Sequence, residues 1–257
     1  MTPPRVIPST TSHKHEPLLP TLEIFSRLGL CDLDLNLNHV IEHGVEVRSI
    51  NSALDAGRQR VCMVSGGWCD FYHSAPQIEE TFRSVDRQVA IAGELGVHRM
   101  RLFFGRLKRE DYAAGALATI AGNMRRIADQ YPQMQFVFEN HDGASSDPKI
   151  CRQILEAVCR PTIRLNFDPI NFEHAGVDSL DAVRELLPLI GHVHLKGLAR
   201  DGFCEFGTGD VDLTPVLRTL HAGGYQGGFT VEYEGTFDRT LRLYQSMQRA
   251  RAVLTDL

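Results

Sequence analysis

Ile190-Gly191-His192-Val193-His194-Leu195-Lys196 sets aliphatic side chains against imidazole and ammonium groups in strict alternation from His192 onward. Successive side chains of a strand point to opposite faces. Val193 and Leu195 therefore share one face, and His192, His194 and Lys196 share the other. Three further runs repeat the pattern. Val137, Glu139 and His141 oppose Phe136 and Phe138, and Arg164, Asn166 and Asp168 oppose Leu165 and Phe167. In the last run, Thr230, Glu232 and Glu234 oppose Phe229, Val231 and Tyr233. Each apolar face needs a helix over it, so the polar faces line an interior.

Working outward, four more short runs complete the set: Arg5–Ser9, Asp32–Asn36, Arg60–Val64 and Arg99–Phe104 come before Gln135–Asn140, Ile163–Phe167, Gly191–Leu195 and Gly228–Tyr233. Amphipathic stretches separate them at Leu19–Leu28, Ile50–Ala56, Ala75–Leu95, Asp111–Tyr131, Lys149–Ala157, Leu180–Leu187 and Leu213–Ala222, with a last helix over Asp238–Val253. Repeated βα units force parallel strands and right-handed crossovers. Eight of them in 257 residues predict an α/β fold, one (β/α)8 TIM barrel domain spanning residues 1–257. A doubly wound open sheet would place a Gly-rich phosphate loop after the first strand, and Ser9-Thr-Thr-Ser-His-Lys-His is not one.

Composition narrows the function. Apolar content of 43% and charged content of 23% are ordinary for a soluble globular chain. A net charge of −5 lacks the basic footprint of a nucleic-acid binder. No apolar run reaches a membrane span, and the start Met1-Thr-Pro-Pro-Arg has no signal-peptide pattern. Six cysteines without CxxC spacing, several inside apolar stretches, read as reduced, buried thiols, so a cytoplasmic protein is expected.

Barrel active sites sit at the C-terminal ends of the strands. Glu139, Asp168, His194 and Glu232 reach that end from four neighbouring strands, as three carboxylates and one imidazole. Clustered carboxylates repel unless protonated or neutralised, and a divalent cation neutralises them most directly. A salt-bridge network with Arg99, Arg101, Arg164 and Lys196 is the competing account of the same acids. Oxygen-rich ligation with one imidazole suits Mn²⁺ best, with Mg²⁺, Co²⁺ and Zn²⁺ as alternatives. Around the ring, His141 and Asn171 are placed to bond substrate hydroxyls, Arg101 to hold an anion, and Lys196 to polarise a carbonyl or neutralise Glu232. Trp68 beside Gly66-Gly67 either stacks on a sugar face or covers the barrel. His192 reads as a partner behind the ligands, Glu234 as an alternative to Glu232, and His13 and His15 as candidates for the pocket mouth.

At these residues the chain resembles the xylose-isomerase-like barrel superfamily, the sugar phosphate isomerase/epimerase group. The resemblance is carried by Val137-Phe-Glu-Asn-His, Leu165-Asn-Phe-Asp-Pro-Ile-Asn followed by His174-Ala-Gly, the Ile190–Lys196 run, Gly207-Thr-Gly-Asp-Val-Asp, and Gly224-Tyr-Gln-Gly-Gly-Phe-Thr-Val-Glu-Tyr-Glu. It implies one metal on Glu139, Asp168, His194 and Glu232, with Glu139 and Glu232 as the acid–base pair, and it implies that the Gly207 loop lines the substrate pocket. Two positions depart from the family pattern. Asn171 stands where keto-sugar epimerases carry a histidine, and Gly197 stands where many relatives carry an acid after His-x-Lys.

The leading expectation is a metal-dependent isomerase or epimerase of a keto-sugar or related polyol, working by proton transfer next to the carbonyl. Loss of a β-hydroxyl at the same site would make it a dehydratase of a keto-cyclitol or keto-acid. A non-catalytic ligand-binding barrel and an abasic-site endonuclease rank behind, the latter opposed by the acidic charge. The partner expected is a small carbohydrate-like molecule rather than nucleic acid or membrane, and assembly into a homo-oligomer stays open.

Overall fold

The computed structural model describes residues 5–257; Met1–Pro4, the start read for a signal peptide, lie outside the described residues. Eight parallel strands form the barrel: β1 Val6–Pro8, β2 Asp32–Asn36, β3 Arg60–Ser65, β4 Arg99–Phe103, β5 Gln135–Glu139, β6 Ile163–Phe167, β7 Ile190–Leu195 and β8 Gly228–Val231. From β2 to β8 consecutive strands pair with each other, and β8 pairs with β1. The last seam, between β1 and β2, is closed by a bridge from Ser9 to Asp34.

The covering helices are α1 Leu18–Arg27, α2 Val47–Gly57, α3 Ile78–Glu94, α4 Ala114–Gln130, α5 Pro148–Val158, α6 Ser179–Leu186, α7 Thr214–Ala222 and α8 Arg239–Thr255. Their starts are legible where a capping acid stands in place: Asp147 accepts from the Lys149 amide ahead of Pro148, and Asp178 accepts from the Asp181 amide. Phe136, Phe138, Leu165, Phe167, Val193, Leu195, Phe229 and Val231 are buried in the layer between strands and helices, as the alternation requires.

Every expected strand and barrel helix is present, with ends displaced by a few residues. Strand β8 stops at Val231, so Glu232 and Glu234 stand on the loop beyond it rather than within the ladder. Two short helices, Asn38–Ile41 and Pro169–His174, and an antiparallel hairpin of Gly197–Ala199 and Gly202–Cys204 were not foreseen. The hairpin explains Gly197. A Cβ there would collide with the Glu205 carbonyl oxygen across the hairpin, so no acidic side chain fits. The six cysteines are all free, but only Cys69 and Cys151 are buried; Cys31 and Cys159, at the ends of connections, are exposed. No described helix is long and apolar enough to cross a membrane.

Candidate metal centre

Glu139, Asp168, His194 and Glu232 come together, one ligand atom from each lying within 4.8 Å of all the others, and all four residues are buried. Each is delivered by the end of a different strand. Asp168 is fixed twice over. Asn140 exchanges hydrogen bonds with its backbone, donating to Asp168 O at 2.8 Å and accepting from Asp168 N at 2.9 Å. Asp168 Oδ1 then caps the Pro169–His174 helix, accepting from Ile170 N at 2.9 Å and Asn171 N at 3.0 Å. Its second oxygen, Oδ2, is left facing the ring, 3.0 Å from Lys196 Nζ. Asn171 donates to Glu139 Oε1 at 3.3 Å and to Asn140 O at 3.0 Å, so here the residue that departs from the epimerase pattern orients a ring carboxylate.

His194 Nδ1 lies 3.4 Å from Glu139 Oε1 and 3.5 Å from Glu232 Oε2. Neither contact is aligned as a hydrogen bond, and Nδ1 and Glu232 Oε1 are both buried without a hydrogen-bond partner among the described residues. Buried polar atoms of native proteins are almost always satisfied, and a cluster left unsatisfied points to water or an ion. Three carboxylates and one imidazole converging within 4.8 Å of one another fit a divalent cation.

The charges behave accordingly. Burial works to raise the Glu139 carboxyl, but His194 and Arg101 pull it down to about 2. Glu232, opposed by burial in the same way, is held well below the carboxylate range by His194, Lys196 and Arg101. Burial, helped by Glu139 and Glu232 and opposed by Lys196, lifts Asp168 to about 6. Burial disfavours charge on His194 and Lys196 too, yet the surrounding carboxylates raise both well above their ordinary values.

The competing salt-bridge reading is half realised. Arg101 Nε lies 3.1 Å from Glu139 Oε2, and Lys196 contacts Asp168 and, at 2.5 Å, Glu234 Oε1. Arg99 and Arg164 do not join it. Arg99 bonds Gln135 Oε1 at 2.9 Å, and Arg164 bonds the Pro188 carbonyl at 3.0 Å, both at the N-terminal rim. Glu234 is not in the ring; it is the outer partner of Lys196. His192 lies deeper, its Nε2 2.7 Å from Thr230 Oγ1, and burial, then the neighbouring His194, keeps it neutral.

Above the ring opens a cavity of about 540 Å³. Glu139, Glu232, Arg101, His141, Asn171, Lys196 and Trp68, all expected at the site, line it, while Asp168 and His194 form the buried floor. Trp68 stacks on Phe103, with ring centroids 4.0 Å apart, and the Arg106 guanidinium lies 4.2 Å from the same indole. A parallel ring and a guanidinium at that range occupy opposite faces. With Phe103 and the exposed Arg106 against its ring, Trp68 forms a wall of the cavity. Phe103 is covered in turn by Arg101 at 4.1 Å, which makes a four-layer stack behind the cavity.

Thr11, Lys14, Asn36, His174 and Phe203 also line the cavity and were not foreseen. His13 and His15 do not: His13 is buried edge-on to Phe25 and bonds Thr240, and His15 is exposed. The Gly207-Thr-Gly segment lines a separate cavity of about 280 Å³ that meets the first only at Lys196.

Residues 27–253 match the family described as xylose isomerase-like TIM barrel, and the chain belongs to that family. Among its relatives, the mouse protein named "Putative hydroxypyruvate isomerase" is 29% identical over 175 residues, 62% of this chain and 62% of that one. The 3-dehydroshikimate dehydratase of Bacillus anthracis is 23% identical over 161 residues, 62% of this chain and 56% of that one. The match thus spans about three fifths of these relatives' length. The crystal structure of the IOLI protein with a binding zinc atom shares the fold at TM-score 0.79 and 14% identity, covering 98% of this chain and 97% of that one.

Proposed function

We propose that this barrel is a divalent-metal-dependent isomerase or epimerase that moves a proton at the carbon next to the carbonyl of a small keto-sugar or related polyol. The observation that carries the reading is the pair Glu139 and Glu232. Both are held ionised, both face one cavity, and they approach it from strands three apart around the barrel. Glu139, Asp168, His194 and Glu232 would hold one ion, with Mn²⁺ the best match to the donor set and Zn²⁺ the ion seen in a relative of the same fold. Such an ion, when bound, supplies Lewis acidity to the substrate's carbonyl and neighbouring hydroxyl.

The chain's own residues do the rest. In isomerisation one ionised glutamate takes the proton from the substrate carbon and returns it to the neighbouring carbon; in epimerisation the other glutamate first gains a proton from solvent and delivers it from the far side. Asn171 keeps Glu139 Oε1 oriented, and Arg101 holds its other oxygen. His141, half-buried on the rim with Asp142 3.1 Å from its Nδ1, is placed to bond a hydroxyl. The Trp68–Phe103 wall and Phe203 exclude water from one side of the cavity. The free thiols agree with a reducing, cytoplasmic setting.

One observation favours a dehydratase as the second reading. Lys196 is kept protonated and lines the cavity, where it can donate a proton to a departing hydroxyl. Turnover of keto-sugars and keto-cyclitols in D₂O separates the two. An isomerase or epimerase places deuterium at the carbon next to the carbonyl and conserves substrate mass otherwise, whereas a dehydratase loses water. Complete retention of a C–D label at the migrating position would sink proton transfer.

A further inference from the structure

Asp34 pairs with no cation among the described residues, yet it is wholly buried inside the barrel. In β2, Leu33 and Leu35 pack into the core under the helices, so Asp34 between them points inward. It stands at the seam that closes the barrel, bridged to Ser9, and the Ser9 amide bonds the Val231 carbonyl next to Glu232. Its Oδ2 accepts from Ser65 Oγ at 2.8 Å, while Oδ1 is buried without a partner. Burial lifts this carboxyl to about 6, and the charged group acting on it most strongly is His194, ahead of Glu232 and Arg101.

His194 has the complementary shortage. Its Nδ1 faces the ring, close to Glu139 and Glu232, so its Nε2 points away from them, and that nitrogen is also buried without a partner. A histidine that ligates through one nitrogen almost always donates from the other, most often to a carboxylate or a carbonyl, which fixes the tautomer and the ring plane. Asn166 is the rival acceptor in the interior, buried with both side-chain polar atoms unpartnered. It is neutral, however, and its ladder partner on β7 is His192, not His194.

We propose that Asp34 is a positioning residue of the metal centre: its Oδ1 accepts from one bridging water to which His194 Nε2–H donates, and this link turns Nδ1 toward the ring. The inference rests on reading the ring as a metal site, and the test keeps the two apart.

Zn²⁺ is titrated into the full-length protein against a chromophoric chelator, and long-range ¹H–¹⁵N spectra of the zinc-loaded, histidine-labelled protein follow the His194 Nε2–H resonance. If the wild type takes up no Zn²⁺, the ring reading fails, and this inference with it. In the wild type, the resonance is expected far downfield and slow to exchange. Asp34→Ala moves it upfield and weakens Zn²⁺ binding roughly tenfold to hundredfold. Asp34→Asn, nearly isosteric and still offering an acceptor, gives an intermediate shift and covers the case in which the alanine variant does not fold. An unmoved resonance in both variants overturns the proposal even if affinity falls, because Asp34 then acts only as a distant charge. A resonance that responds to Asn166→Ala instead, or an affinity change below about threefold, overturns it as well.

Discussion

Lys196→Met removes a buried cation while keeping much of its volume. Lys196 is 1% exposed, and its Nζ sits 3.0 Å from Asp168 Oδ2 and 2.5 Å from Glu234 Oε1. Glu234 is partly exposed and can turn toward water once the lysine is gone. Asp168, 0% exposed and tied to the helix start through its other oxygen, cannot. Breaking a buried pair by deleting one partner typically costs about 3–5 kcal/mol, because the other charge is left without compensation. At about 2–4 °C per kcal/mol for a chain of this size, the chelator-treated variant should melt roughly 6–20 °C below the wild type. A divalent ion on Asp168 supplies the missing positive charge, so the deficit should shrink to less than half when Mn²⁺ or Zn²⁺ is added. Thermal melts in chelator and in saturating metal, for both proteins, measure it. Equal deficits in the two conditions would show that Lys196 does not share Asp168 with a metal, and a deficit under about 1 kcal/mol in chelator would refute the buried-pair argument.

Three further outcomes follow from the same charges. The raised pKa of His194 means that the metal-free protein holds an imidazolium between Glu139 and Glu232 at neutral pH, so metal binding should release close to one proton, seen as a calorimetric enthalpy that varies with buffer ionisation. The sign for stability is fixed by the same shift: His194 stabilises the metal-free chain fully below about pH 6.5, and that contribution is lost as pH rises through its higher folded value, so melting points in chelator should fall on the alkaline side. Glu139→Gln and Glu232→Gln keep the shape but remove a candidate base, and each should lose about 10²–10⁴-fold in rate even at saturating metal. Full recovery with metal in both variants would move the base to Lys196, Glu234 or a histidine at the cavity mouth.

The parts of this site that rest on strand periodicity were readable in the sequence. Alternation in β5 to β8 names a face for each side chain, and Glu139, Asp168, His194 and Glu232 occupy the face it assigns. It does not give depth along the barrel axis. Arg99 and Arg164 share the inward parity of Arg101, yet they end at the opposite rim, where they bond Gln135 and Pro188. Asp34 was equally legible: Asp32-Leu-Asp-Leu-Asn alternates as clearly as the later strands, and the same argument applied to β2 points it inward. Phe203, His174 and Lys14 were not legible, because loops and a hairpin bring them to the cavity and no period governs those. Trp68 shows a different limit. Its place beside the site could be read from its position after β3, but the stack against its ring depends on Phe103 and Arg106.

Anomalous diffraction at the absorption edge of the retained metal, from crystals of protein purified without chelator, bears most directly on the central claim. One strong peak per chain is expected, about 2.0–2.3 Å from donor atoms of Glu139, Asp168, His194 and Glu232. Crystals without a peak there after soaking in Mn²⁺ or Zn²⁺, with His194 still flanked by Glu139 and Glu232, would show that the ring is an internal salt-bridge cluster and not a metal centre.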